Sequence, residues 1–130
     1  MMLPPAGGEA KLALARQMGI TRAITKAAPD MSGLPAPYDF DALQTVKRRF
    51  SNAGMSLYGL EGDQFDMSPI KLGLPDRDEW IEKYIAMLRN MGKLDINLLC
   101  LNWMAVVGWF RSSVEAPERG GALTSSFNVE

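Results

Sequence analysis

A helical pattern, a glycine and an apolar extended run recur three times, and this repeat predicts an α/β fold of parallel strand–helix units. The segments are ARQMGITRAIT, FSNAGMSLYGLE and LRNMGKLDINLLCLN, with Gly19, Gly54 and Gly92 at the turns. Two further observations favour parallel strands. The last extended run is apolar without alternation, as in a strand covered on both faces. The connections are also uneven. Helix-to-strand turns take a few residues, whereas the strand-to-helix stretches KAAPDMSGLPAPYD and GDQFDMSPIKLGLPD are long. Long loops belong at the carboxyl ends of parallel strands, where α/β folds bind their ligands.

The elements follow in order. MMLP reads as the tail of an earlier strand. A first helix begins near Glu9 and carries Leu12, Ala15 and Met18 on one side. Gly19 stops it, because a residue without Cβ adopts the left-handed conformation at no steric cost. A strand over residues 20–25 follows. Phe40, Leu43, Val46 and Phe50 make the stripe of a second helix, capped by Asp39 or Asp41 and ending near Lys47, Arg48 and Arg49. After Gly54 comes a strand over residues 55–61. Trp80, Ile81, Tyr84, Ile85, Leu88 and Met91 place one face of a third helix, with Asp76 and Glu79 as its N-terminal pair and Gly92 as its stop. The third strand spans residues 96–102, and ALTSSFN reads as the start of a later one.

Three clear units are few for a closed barrel of eight, which needs roughly 200 residues or more. The 130 residues therefore fit a single domain forming part of a (β/α)8 TIM barrel, its N-terminal half. A compact doubly wound sheet is the alternative, but its open edges need protection that the sequence does not show. Composition excludes several classes. Fourteen basic against fifteen acidic residues give a net charge of −1, so nothing suggests nucleic acid or an anionic membrane. No run is long enough to span a bilayer, and no secretory leader is visible. One cysteine, Cys100, forbids an internal disulfide, and a cytoplasmic setting follows. There is no histidine, so the chain alone completes no mechanism that needs an imidazole base or ligand.

The stretches IKLGLPDRDEWIEKYIAMLRNMG and INLLCLNWMAVVGWFRSS resemble the mannonate dehydratase family, in which an IKLGLP-like loop leads into a helix ending RNL or RNM. A strand ending YNFMP and a DWTRT segment follow there. The resemblance reaches back weakly to about residue 10. It implies a TIM barrel related to xylose-isomerase-like enzymes and a divalent cation, Mn2+ or Fe2+. It also implies loss of water from D-mannonate to give 2-keto-3-deoxy-D-gluconate. There are departures. Gly108 stands for the aspartate of DWTRT, Phe110 and Ser112 for its threonines, Leu101 for the tyrosine of YNFMP and Ala105 for its proline. The family's metal ligands include histidine and cysteine from the later half of the barrel, so the resemblance places no ligand in this chain.

The same resemblance nominates a substrate site. Glu61, matching the glutamate of a VES segment, would accept hydrogen bonds from substrate hydroxyls or support the metal shell; a capping carboxylate is the plain reading. Lys71 matches the lysine of the IK pair and would hold a carboxylate as a point charge, or simply be solvated. Asn102 would orient the ligand at a strand end, and Trp109 would wall the sugar site or pack. Arg111 would clamp a carboxylate or join two loops. Asp63 and Asp66 read as turn residues, Trp103 as packing, Cys100 as an inert buried thiol and the nine methionines as core filler. The expected partner is a small sugar acid, with self-association to cover open edges. Two other functions stay open: a sugar isomerase or epimerase on the same barrel, and a non-catalytic fragment or binding module.

Overall fold

The computed structural model describes residues 1–106, 108 and 110–129. The elements are α1 (Glu9–Gln17), β1 (Arg22–Thr25), α2 (Pro29–Ser32), α3 (Phe40–Asn52), β2 (Ser56–Glu61), α4 (Ser68–Leu72), α5 (Arg77–Lys93), β3 (Leu98–Cys100), β4 (Ser113–Pro117) and β5 (Leu123–Ser126). A 3-10 turn, Arg119–Gly121, joins the last two. The first three strands are parallel and lie in the order β1-β2-β3. Met2 adds a parallel bridge to Ile24 on the outer side of β1, so the MMLP segment does lie where an earlier strand belongs. Sequential order without a reversal is the topology of a barrel segment and not of a doubly wound sheet.

All the long helices contribute to one core. Leu12 and Ala15 of α1, Leu43, Val46 and Phe50 of α3, and Met87 and Met91 of α5 form a single buried cluster with Ala23, Leu57 and Leu60 of the sheet. Because side chains alternate along a strand, the register row Ile24–Gly59–Leu98 looks the other way. Ile24 and Leu98 in that row are half-buried.

One irregularity makes this pattern work. Ala23 pairs with Leu57, but Ile24 pairs with Gly59, so Tyr58 is an extra residue in β2. The bulge resets the alternation, and Leu57 and Leu60 can both reach the core, at 2% and 0% exposure. Tyr58 is left at the surface, with the Arg22 guanidinium 5.1 Å from its ring centre. Gly59 is needed for a different reason. A Cβ there would lie 2.8 Å from Leu98 Cβ and 2.9 Å from the Leu98 carbonyl oxygen, so any side chain would force β2 and β3 apart.

The helix ends bear out one expectation, choosing between its two candidates, and correct two others. Asp39, not Asp41, is the cap of α3, and its Oδ1 accepts from the Ala42 N–H at 2.9 Å. Asp39→Ala should cost about 1 kcal/mol, read as a shift in the urea midpoint; an unchanged midpoint would show the cap to be idle. Asp76 caps α5 by position only, because its carboxylate accepts instead from Trp80 Nε1 at 2.9 Å. Gly92 does not stop α5. The helix runs on to Lys93, and the left-handed residue is Asp95, at φ 53°. The extension places Leu94 and Ile96 in the core, which outweighs the cost of a helical glycine, roughly 1 kcal/mol. Lys47 Nζ then donates to the Leu94 carbonyl at 2.5 Å, a cation on a helix C-terminus.

Three other expectations change. The buried side of α5 is Met87, Asn90 and Met91, while Ile81 and Leu88 are exposed. Met18, which caps the C-terminus of α1, is exposed as well. ALTSSFN is not the start of a further parallel strand: β5 pairs antiparallel with β4 in a hairpin of its own. Val114, Leu123 and Phe127 of this arm are exposed.

Candidate functional site at the carboxyl ends of the strands

The three parallel strands deliver their last residues to one end of the sheet. Glu61 closes β2 and pairs in register with Cys100 of β3. The next N–H, that of Gly62, donates to the Cys100 carbonyl at 3.0 Å. Asn102 lies two residues further and is exposed, while Glu61 and Cys100 are half-buried. The structure thus brings Glu61 and Asn102 to the same end of adjacent strands. Cys100, expected to be buried, is half-open on the same end because β3 is an edge strand among the described residues.

Lys71 is placed differently from its expected role. Its side chain is 3% exposed, and Nζ donates to Asp63 Oδ2 at 2.6 Å. Asp63 is therefore no mere turn residue; it ties the loop after β2 to α4. Holding a substrate carboxylate would require this pair to open. The second oxygen, Asp63 Oδ1, is buried and has no hydrogen-bond partner among the described residues. Asp66 keeps its turn role. The Ser68 hydroxyl first and the Ser68 N–H second hold its carboxyl below the usual range.

Arg111 stands at the base of the β4–β5 hairpin, where Nε donates to Ser125 Oγ at 3.1 Å and a terminal nitrogen donates to the Phe110 carbonyl at 2.8 Å. Those contacts are local to the arm. Trp103 is exposed, not packed, and Trp109 falls outside the described residues.

Aromatic packing fixes the loop that carries Asp63. Phe65 stacks on Trp80 at 5.9 Å and meets Tyr38 and Tyr84 edge-on at 5.4 and 6.4 Å. Burial first, and the negative Asp63 second, push the Tyr84 phenol above its ordinary pKa. Asn90 anchors the other side, donating from Nδ2 to the carbonyls of Pro37 and Tyr38 at 3.3 and 2.9 Å. Between the loops after β1 and β2 lies a cleft of about 610 Å³ bordered by Lys26, Asp30, Tyr38, Asp63, Phe65 and Trp80.

Sequence reasoning missed Gln64. It is 2% exposed and joins the ends of β1 and β2 through three hydrogen bonds. No local pattern marks it, because its partner Ala27 lies 37 positions away. The divalent cation does not fit the residues described. Among them no three His, Cys, Asp or Glu side chains come together as a metal site.

The family model described as D-mannonate dehydratase (UxuA) matches residues 6–130. The chain belongs to the D-mannonate dehydratase family. The mannonate dehydratase of Brachyspira hyodysenteriae is 37% identical over 88 residues, which are 68% of this chain and 24% of that protein. That of Streptococcus pneumoniae is 32% identical over 117 residues, covering 83% of this chain and 32% of the relative. The crystal structure of mannonate dehydratase from Streptococcus suis serotype 2 superposes with a TM-score of 0.75 at 25% identity, over 89% of this chain and 32% of that one. This member of the dehydratase family thus spans about a quarter to a third of the length of these relatives. Its sequential parallel strands, with the long helices in one core, are those of a partial barrel. No helix among the described residues is long and apolar enough to cross a membrane.

Proposed function

We propose that residues 1–130 form one domain, the N-terminal half of a TIM barrel, and supply part of the substrate site of a cytoplasmic lyase. The reaction would remove water from D-mannonate to give 2-keto-3-deoxy-D-gluconate. Family membership supports the chemistry. The observation that supports the site is that Glu61 closes β2 while Asn102 follows two residues beyond the carboxyl end of the adjacent parallel strand β3. In this reading the Glu61 carboxylate accepts from substrate hydroxyls, and the Asn102 amide orients the sugar chain. Lys71 acts through Asp63 by fixing the loop beside them. The Mn2+ or Fe2+ that the resemblance implies would take its ligands from outside this set, and no step is assigned to it.

The test is to express the polypeptide with its own flanking genomic sequence, supply Mn2+ and follow formation of the 2-keto acid. Glu61→Gln should lower kcat/KM by about 10- to 100-fold, the worth of a hydrogen bond to a charged group. Unchanged kinetics would remove Glu61 from the site. Absence of product with the unsubstituted protein would remove the dehydratase reading.

A further inference from the structure

We infer that Gln64 is a positioning residue that holds the carboxyl ends of β1 and β2, and with them Glu61, in one fixed arrangement. Its Oε1 accepts from the Ala27 N–H at 2.8 Å, and its Nε2 donates to the carbonyls of Glu61 at 2.8 Å and Gly62 at 2.9 Å. Two carbonyls on one side and an N–H on the other fix which way the amide faces.

The three partners share a property. They are main-chain groups just where the ladder between β1 and β2 runs out, its last pair being Thr25 and Leu60. The Gly62 N–H is already committed to Cys100 on the β3 side. Without the amide, a buried N–H and two part-buried carbonyls would lose these partners. Gln64 therefore acts as one more rung, built from a side chain. A carboxamide alone offers an acceptor and two donors from one planar group. Methionine matches its size and offers neither. Glutamate offers only acceptors when ionised and would set a charge against two carbonyl oxygens.

The consequence for function rests on the reading of Glu61 as a substrate contact. The Glu61 side chain projects from a backbone whose carbonyl is held by Gln64. Releasing that carbonyl should blur the position of the carboxylate and reduce kcat more than substrate binding. The charged groups on or next to the segments that Gln64 joins include Lys26 and Asp30 after β1, Glu61, Asp63 and Asp66 after β2, and Lys71 from α4.

Hydrogen exchange on residues 1–130 is the first arm of the test. Gln64→Met should speed exchange of the Ala27 amide at least tenfold while Met87, inside α5, stays within twofold. Equal protection of Ala27 in both proteins would overturn the inference. The second arm is kinetic and uses the genomically flanked protein. Gln64→Met should lower kcat at least tenfold with KM changed less than threefold. Gln64→Glu should recover relative to the unsubstituted enzyme as pH falls from 8 to 5. Burial raises that carboxyl's pKa above its unfolded value, so its favourable protonated form prevails at low pH and is lost as pH rises. A kcat unchanged in Gln64→Met, or a flat profile for Gln64→Glu, would overturn the positioning role. If Gln64→Met does not fold, Gln64→Glu decides by Ala27 exchange relative to the unsubstituted protein at each pH, near equal at pH 5 and faster at pH 8; the same ratio at both would overturn the inference. If the unsubstituted enzyme makes no 2-keto acid, the dehydratase reading fails, and Ala27 exchange alone decides for Gln64.

Discussion

Phe50→Ala should lower the free energy of unfolding by about 3–5 kcal/mol, the usual range for removing a buried aromatic ring. Phe50 is fully buried in the last turn of α3. Its carbonyl accepts from the Met55 N–H at 2.9 Å, so the same residue also closes the turn into β2. The cluster around it draws on α1, α3, α5 and the sheet. Elements joined at so many points cannot collapse into the space left by the ring, which puts the loss toward the upper end. Phe50→Leu keeps most of the volume and should cost only about 1 kcal/mol. Urea unfolding followed by circular dichroism separates the two. A loss below about 1.5 kcal/mol for Phe50→Ala would mean that the core can repack and that the helices are loosely held.

What the sequence revealed was local. The stripe Leu43, Val46 and Phe50 repeats at helical spacing and lies in the core as that spacing requires. The parallel order followed from the repeated helix–glycine–strand unit. What stayed hidden depends on contacts across the chain. Apolar residues cover two sides of α5, and only the sheet decides that Met87 and Met91 go inward while Ile81 and Leu88 do not. The hairpin has a local signal. Gly120 and Gly121, both at positive φ, sit between two short extended runs, a recognised turn pattern. Gln64 had none, since no spacing rule sets an amide against Ala27. Lys71 was legible as a cation near the strand ends but not as a buried one. Its partner Asp63 comes eight positions earlier, and the turn of the loop brings the two together.

That pair sets the second large effect. Asp63→Ala should destabilise the protein by about 2–4 kcal/mol. Removing one partner of a buried ion pair typically costs 3–5 kcal/mol, because the remaining charge has no counter-charge. The lower figure allows for the Asp63 side chain, which is 38% exposed against 3% for Lys71 and so lets water screen part of the interaction. The double substitution Asp63→Ala with Lys71→Met should lose less than Asp63→Ala alone, since no charge is then stranded and the lysine stem is replaced by one of similar shape. A four-protein cycle of urea midpoints would give a coupling of about 2 kcal/mol, little changed by added salt because the ammonium is shielded from solvent. A coupling near zero that vanishes in salt would show a surface pair that opens readily. Lys71 would then be free to meet a carboxylate directly, and its role would pass from fixing the loop to binding the substrate.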